Sequence, residues 1–383
     1  MDRQLKLCFV VSEDWYFRSH RLPLAEEAIH RGWEVCLIAR MGRCAEELQA
    51  AGIRTVHVEI DRGGLNIFKD LRYSRKLAAI YRKEKPDIIH HVAMKPCLFG
   101  SIAAVLSGQR GCMVNAIAGL GSLFSGESRK MRLVRPLVRV AFKSFLGWGN
   151  SKLILQNMDD FEELEKRVGF ASDQLRLIRG SGVDMNEFKP SEAPRKNDKP
   201  LIVLVSRLLI EKGIPELIEA AGILKQRGVS CRVALVGEAD DGNPRSVSAA
   251  TLTEAEKRGE VECWGRRSDI AEIYRQADIA VLPSYYREGI PKTLLEAAAA
   301  GLPIVTTDSV GCREVVDDGV NGFLIPIKQA EPLADALEKL INDPALRMAM
   351  GEQSRKKACA EFDINRVVEQ TFDIYAELLG TGD

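Results

Sequence analysis

Much of what would place this sequence quickly is missing from it. No two of its nine cysteines form a Cys-x-x-Cys pair, and none shares a zinc-type spacing with a histidine. Scattered single thiols exclude a disulfide scaffold and a zinc module, and they suit a reducing cytoplasm. Net charge is missing too, since 54 Lys and Arg balance 54 Asp and Glu. Bulk charge therefore points to no nucleic-acid partner, and any anionic surface must be met by a local patch. No stretch approaches the roughly 18 uncharged apolar residues of a membrane span. The first apolar run, Leu5–Val11, is followed at once by Ser12-Glu13-Asp14, so it reads as a buried strand and no targeting segment is expected. There is no Asp-x-Asp triplet to hold a metal ion, and none is expected. Gly119-x-Gly121 lacks the third glycine of a dinucleotide fingerprint, and Ser12-Glu13-Asp14-Trp15 after the first strand has no glycine, which argues against NAD.

What is present is α/β alternation. With 383 residues, 46% of them apolar, the chain can bury two cores. Leu5–Val11, Glu34–Ala39, Arg54–Val58, Ile88–His91, Met113–Ile117 and Leu153–Gln156 are strand-like, with helical patterns such as Pro23–Arg31, Ile67–Lys83 and Leu98–Leu106 between them. That alternation predicts parallel sheets with right-handed crossovers. From Lys189 to Pro200 the sequence carries three prolines and no large apolar residue, the signature of a linker. A second βα series follows, with strands at Leu201–Val205, Cys231–Val236, Val261–Trp264, Ile279–Leu282 and Pro303–Thr306, and helices at Gly213–Arg227 and Lys292–Ala300. Pro332–Asn342 and Ala345–Leu379 read as helical. The expected organisation is a domain over 1–190, a linker over 191–200 and a second domain over 201–363. A ligand is expected in the cleft between domains, outside the carboxyl ends of the strands.

The most informative stretch runs from Leu282 to Thr307. A strand ends, a loop carries Glu288, and a helix begins at Pro291 or Lys292, where proline loses no intrahelical bond. The N–H groups around Ile290, Lys292 and Thr293, at the positive end of the helix dipole, suit an anion. Glu288 and Glu296 would be repelled by a phosphate, so they are expected to face hydroxyls, a vicinal diol above all. The plainer reading makes Glu288 a helix-entry charge and Glu296 an exposed face residue. Upstream, Arg207 and Lys212 lie where a strand hands over to a helix, a guanidinium fork and an ammonium suited to a diphosphate. They could equally be solvated loop cations. Gly237 after the next strand allows a ligand close to the backbone.

These residues carry a resemblance. Ser206-Arg207…Lys212-Gly213, Leu235-Val236-Gly237, Gly265-Arg266-Arg267-Ser268-Asp269-Ile270 and Glu288-x7-Glu296 with Gly289 resemble the family-four glycosyltransferases, retaining enzymes of the GT-B fold. Ser19-His20-Arg21-Leu22-Pro23, Lys95 with Phe99-Gly100, and Gly119-Leu120-Gly121-Ser122-Leu123-Phe124 resemble the bacterial branch acting on undecaprenyl-diphosphate-linked sugars, the N-acetylgalactosaminyltransferases that extend bacillosaminyl-diphospho-undecaprenol among them. The resemblance implies two Rossmann-like domains facing each other across a cleft, with the last helix, 364–383, crossing back to the first. It implies a UDP-sugar donor whose diphosphate meets Arg207 and Lys212. Glu288 would meet the hexose, with backbone at Gly289, Ile290 and Pro291 near its hydroxyls and phosphate. Glu296 would take the ribose hydroxyls, and Arg266 and Arg267 the base. His20, Arg21, Lys95, Gly119 and Gly121 would face a polyprenyl-diphosphate-linked acceptor. Histidines that many relatives carry are replaced here by Asn115-Ala-Ile-Ala-Gly119 and by Met94. His90 and His91 read as core residues at a strand end, and His20 is better placed to meet an anionic acceptor.

The implied chemistry is displacement on the face from which the nucleotide diphosphate leaves, with Arg207 and Lys212 offsetting its charge. A nucleotide-sugar 2-epimerase and a non-catalytic nucleotide-sugar-binding module are the alternatives. From Ser128 to Met158 there is no acidic residue, while Arg129, Lys130, Arg132, Arg135, Arg139, Lys143 and Lys152 alternate with apolar and aromatic side chains. That pattern suits an anionic membrane leaflet, and peripheral attachment to the inner face of the cell membrane through Arg129–Lys143 is expected. An ordinary amphipathic helix packed on its own domain would look similar.

Overall fold

A computed structural model describes residues 3–60, 66–109, 112–121, 129–191, 197–240 and 243–381. The chain forms two compact units, Met1–Ser181 with Asn365–Asp383, and Gly182–Ile364.

The first unit runs β1 (Lys6–Glu13), α1 (Asp14–His30), β2 (Glu34–Arg40), α2 (Ala45–Ala50), β3 (Arg54–His57), α3 (Ile67–Glu84), β4 (Ile88–Val92), α4 (Met94–Ser107), β5 (Cys112–Ile117), α5 (Arg129–Ala141), β6 (Ser151–Leu155), α6 (Met158–Glu162) and β7 (Leu175–Leu177). Its sheet has the order β3-β2-β1-β4-β5-β6-β7, and its strand pairs are parallel. Leu7-Cys8-Phe9-Val10-Val11 is buried throughout, as expected of a parallel strand covered on both faces. Helix α1 begins directly after β1, so Pro23 lies inside it. The expected helix start at Pro23 is therefore too late by nine residues, because no loop intervenes.

The second unit runs β8 (Leu201–Val205), α7 (Ile214–Gln226), β9 (Arg232–Val236), α8 (Ala249–Lys257), β10 (Glu262–Gly265), α9 (Ile270–Gln276), β11 (Ile279–Leu282), α10 (Lys292–Ala299), β12 (Ile304–Thr307), β13 (Gly322–Ile325), α11 (Ala330–Asn342) and α12 (Pro344–Glu361). Its parallel sheet has the order β10-β9-β8-β11-β12-β13. The short strands β7 and β13 are additions to the strands read from sequence.

A last helix, α13 (Ile364–Leu379), buries Val367, Val368, Thr371, Phe372, Ile374, Tyr375 and Leu378 and completes the first unit. The ring of Phe372 meets Trp33 at 5.3 Å, Tyr375 Oη lies 2.6 Å from His90 Nδ1, and Asn150 Nδ2 donates to the Leu378 carbonyl at 2.7 Å.

The stretch from Gly182 to Pro190, placed in the first domain on sequence, lies in the second unit. Val183 N–H donates to the Phe362 carbonyl at 2.9 Å, and Phe188 is buried in the second unit's core. Of the expected linker, 192–196 lie outside the described residues, while Asn197 donates to Asp278 Oδ2 at 2.7 Å. Arg355 fixes the stretch, donating to the Met185, Phe188 and Ala299 carbonyls at 3.0, 2.9 and 2.6 Å. Arg355→Met should cost about 2 kcal/mol by leaving these acceptors without their charged donor. Urea unfolding checks this, and a loss below about 0.5 kcal/mol would show that the stretch is held by its apolar contacts alone.

Candidate active site

In the second sheet the chain order reverses between β8 and β11, since β9 and β10 lie on one side and β12 and β13 on the other. Loops leaving the carboxyl ends of such neighbours diverge and leave a crevice. The structure closes its floor with hydrogen bonds. After β8, Ser206 and Leu208 N–H donate to the Val236 and Glu238 carbonyls at 3.0 and 2.9 Å, and a 3₁₀ turn at Ile210–Lys212 leads to Gly213. Tyr285 N–H and Ser284 Oγ, in the loop after β11, both reach the Glu211 carbonyl, at 3.0 and 3.1 Å. Two glycines are required here. At Gly237 (φ 148°) a Cβ would sit 1.8 Å from the Ser206 carbonyl oxygen, and at Gly311 (φ 86°) one would sit 1.6 Å from that of Gly289.

Lys212 and Glu288 meet on this floor. Nζ lies 2.5 Å from Oε1, and Ser284 Oγ, whose one proton the Glu211 carbonyl and this carboxylate share as acceptors, lies 3.1 Å from the same oxygen. The sequence suggested Lys212 beside Arg207 as a pair of cations. The structure instead pairs Lys212 with a carboxylate, and Arg207 Nη1 with Asp240 Oδ2 at 3.0 Å on the surface. Helix α10 starts just beyond Gly289, Ile290 and Pro291, all three buried, with Pro291 as its N-cap. Its first N–H groups lack intrahelical acceptors, and Tyr274 Oη holds its first turn by donating to the Thr293 carbonyl at 2.9 Å. On the second turn Glu296 is buried, 3.7 Å from Lys292 Nζ. Burial raises its carboxyl to about 7, against the opposing pull of Lys292 and with help from the charge of Glu187. Gly237 N–H donates to the Gly265 carbonyl at 2.8 Å, which brings the Arg266 segment beside the end of β9. Arg266 is exposed, while Arg267 forms a surface fork with Asp269 at 2.8 and 2.5 Å. That contact first, then backbone bonding and the Arg267 charge, holds Asp269 down to about 2.

The first-unit candidates are more dispersed. His20 and Arg21 lie within α1, because β1 passes straight into the helix. His20 stacks on Tyr16 at 4.1 Å, its Nδ1 3.1 Å from that residue's carbonyl. Arg21 is turned into the core. His90 and His91 are buried, the first against Tyr375, the second between Tyr81 Oη at 3.0 Å and Asn115 Oδ1 at 2.8 Å. Lys95 pairs with buried Asp70 at 3.1 Å. Gly119 and Gly121 have positive φ, and between them Leu120 N–H donates to Asp160 Oδ2 at 3.1 Å. Ser122, Leu123 and Phe124 lie outside the described residues.

Sequence reasoning overlooked Ser284 and Asp160. Asp160 had a visible signal in the Asn157-x-x-Asp160 capping spacing, with Asn157 Oδ1 accepting from Asp160 N–H at 2.8 Å. Ser284 had none, because its partner Glu288 becomes adjacent only after the loop folds.

The basic segment meets acids in space that it lacks in sequence. Arg139 pairs with Glu163 at 3.0 Å, Lys152 with Glu377 at 2.6 Å, and Lys143 lies over the Phe170 ring at 4.8 Å. Leu137 and Val140 are 72% and 65% exposed. The side chains of Arg129, Lys130, Arg132, Leu133 and Val134 lie outside the described ones.

The second unit thus places a cation, a carboxylate and a helix amino end together at its strand-order reversal, the place where open parallel sheets take ligands. Residues 6–156 match the family Glycosyl transferase 4-like and residues 185–357 match Glycosyl transferases group 1. The chain belongs to the family-four glycosyltransferases of the GT-B fold. It is 27% identical over 370 residues to the N,N'-diacetylbacillosaminyl-diphospho-undecaprenol alpha-1,3-N-acetylgalactosaminyltransferase of Campylobacter jejuni, covering 94% of this chain and 95% of that one. It is also 27% identical over 326 residues to the UDP-Gal:alpha-D-GlcNAc-diphosphoundecaprenol alpha-1,3-galactosyltransferase of Escherichia coli, covering 82% and 81%. Among solved structures, HepE of Anabaena in complex with UDP superposes with a TM-score of 0.78 at 20% identity, over 97% of this chain and 100% of that one.

Glu296 gives this unit a pH signature. Its folded pKa lies above the ordinary carboxylate value of 4.5, so between pH 4.5 and 7 the folded state binds more protons than the unfolded one. Stability should therefore fall as pH rises through that window, by up to about 3 kcal/mol for this group. Glu296→Gln should flatten the fall, as read by denaturant midpoints at pH 5 and 7.5. Parallel curves for the two proteins would place the carboxylate in water.

Proposed function

We propose that the protein transfers a hexose or N-acetylhexosamine from a UDP-sugar to a polyprenyl-diphosphate-linked saccharide, with retention of anomeric configuration, in surface polysaccharide or glycan biosynthesis. The observation that carries this reading is the Lys212–Glu288 pair on the crevice floor, 2.5 Å apart, beside the amino end of α10 with Glu296 on its second turn. Both relatives described above are named for transfer to undecaprenyl-diphosphate-linked sugars, which supports the acceptor class, and the UDP in the HepE complex supports the donor class.

The chemistry follows from where charge grows. The bond from C1 to the diphosphate oxygen breaks, and negative charge develops on the departing UDP. Arg207 and Lys212, with the N–H groups of α10, are the donors that offset it. Glu288 steers Lys212 and accepts from a hydroxyl of the hexose, while Glu296 accepts from the ribose hydroxyls. Gly237 gives the nucleotide close approach to the backbone, and Arg266 and Arg267 flank the uracil. The acceptor hydroxyl attacks C1 from the side the phosphate leaves, and its proton passes to a phosphate oxygen of UDP. His20, Arg21, Lys95 and the turns at Gly119 and Gly121 serve the acceptor. Exposed Leu137 and Val140, with the neighbouring basic residues, hold the enzyme peripherally at the inner face of the membrane, where such acceptors are found.

Incubation with a panel of UDP-sugars, with and without membrane-lipid extract, tests the reading. Transfer to lipid that depends on one UDP-sugar is expected. Isomerised nucleotide sugar without any lipid would mark an epimerase, and UDP binding without turnover a binding module. Arg207→Ala and Lys212→Ala should each lower kcat on the order of 10²-fold or more, and Glu296→Ala should mainly weaken donor binding. Activity within a few-fold of wild type would remove the assigned clamp.

A further inference from the structure

The first unit buries a cation that none of its described carboxylates answers. Helix α1 turns Asp14, Phe17, Arg21, Leu24, Ala25 and Ala28 inward, so Arg21 stands on the core-facing stripe and is only 6% exposed. Its charge is permanent, and a buried charge is strongly unfavourable unless a counter-charge meets it. Among the described residues no ion pair reaches it. Nη1 makes one long hydrogen bond, 3.5 Å, to the His20 carbonyl, and Nε has no partner.

The residues around it offer a second buried polar atom without a partner. His90 Nδ1 lies 2.6 Å from Tyr375 Oη, while its Nε2 is buried without a partner. Burial, and after it the charge of Arg21, holds His90 far below its ordinary pKa, so the imidazole is neutral. In the tautomer where the Tyr375 hydroxyl donates to Nδ1, the ring hydrogen sits on Nε2. The place in the fold is also telling. His90 is on β4, opposite Phe9 of β1, and the first sheet reverses its strand order between β1 and β4. A reversal of this kind marks where such sheets take ligands. Helical side chains lean toward their own amino end, so Arg21 reaches back toward the carboxyl end of β1.

We propose that Arg21, with His90 Nε2 beside it, receives the diphosphate of the lipid-linked acceptor. A diphosphate supplies the paired oxygens that a guanidinium fork matches and the charge it lacks. The assignment rests on the acceptor class proposed above.

The test is thermal unfolding of the full chain in saturating UDP, which fills the nucleotide site and leaves the first unit to be read. Geranyl diphosphate should raise the wild-type Tm by about 2 °C or more, raise that of Arg21→Lys less and leave Arg21→Met unmoved. Inorganic pyrophosphate should act in the same order but more weakly. Without ligand, Arg21→Met should be at least as stable as wild type, because it removes an uncompensated buried charge. In steady-state assays it should raise the KM for lipid-linked acceptor on the order of ten- to a hundredfold and leave the donor KM unchanged. Three results would each overturn the proposal. They are equal shifts in wild type and Arg21→Met, a larger shift with pyrophosphate than with geranyl diphosphate (a free-anion site), or an unliganded Arg21→Met that is destabilised and restored by lysine. Binding is read here without turnover. Arg21-dependent binding without sugar transfer would therefore fault the functional reading, whereas transfer with Arg21-independent binding would fault this one.

Discussion

A single ammonium–carboxylate contact, Lys212 to Glu288, ties together the two loops that diverge from β8 and β11. Parallel strands whose connections run to opposite sides of a sheet have no backbone reason to keep their following loops in register. Here the register is imposed by that ion pair and by the Glu211 carbonyl, which accepts from both Ser284 and Tyr285. Once those loops are fixed, α10 has one place to start, and Gly311 can lie against the Gly289 carbonyl. The pair is also locally neutral. The positive potential that remains comes from the helix end and from Arg207, whose partner Asp240 is exposed and exchangeable with solvent.

Two cations, one in each unit, are treated in opposite ways. In the second, Lys212 on the crevice floor is matched by the Glu288 carboxylate within hydrogen-bonding distance. In the first, Arg21 sits among His90, Tyr375 and apolar side chains without such a match. A matched cation gives precise placement, and an unmatched one gives a standing attraction for anions.

The alternation of apolar runs and helical periodicity made the parallel α/β character legible, since buried parallel strands such as Leu201–Val205 are nearly continuous in apolar residues. The spacing of Glu288 and Glu296 around a helix start placed both correctly on and before α10. Short edge strands were not legible: Leu175–Leu177 and Gly322–Ile325 owe their conformation to neighbours that supply hydrogen bonds across the sheet. Partnerships across distant segments were hidden as well. Nothing in the run from Arg129 to Lys152 hints that Glu163 and Glu377 return to neutralise part of it, and nothing near Arg21 in sequence shows that it faces the core. The stretch at Gly182–Pro190 misled for a related reason. It reads as the end of the first domain because the proline-rich signal starts only at Lys189, yet Arg355 gathers its carbonyls from far along the chain.

The discontinuity of the first unit bears on how the polypeptide matures. Gly182–Ile364 is an uninterrupted stretch, and during synthesis it is finished before Asn365 onward leaves the ribosome. Until then the sheet that begins with β1 lacks the helix carrying Trp33's and His90's partners, Phe372 and Tyr375. The half that is translated first therefore cannot complete its core until the last helix has emerged.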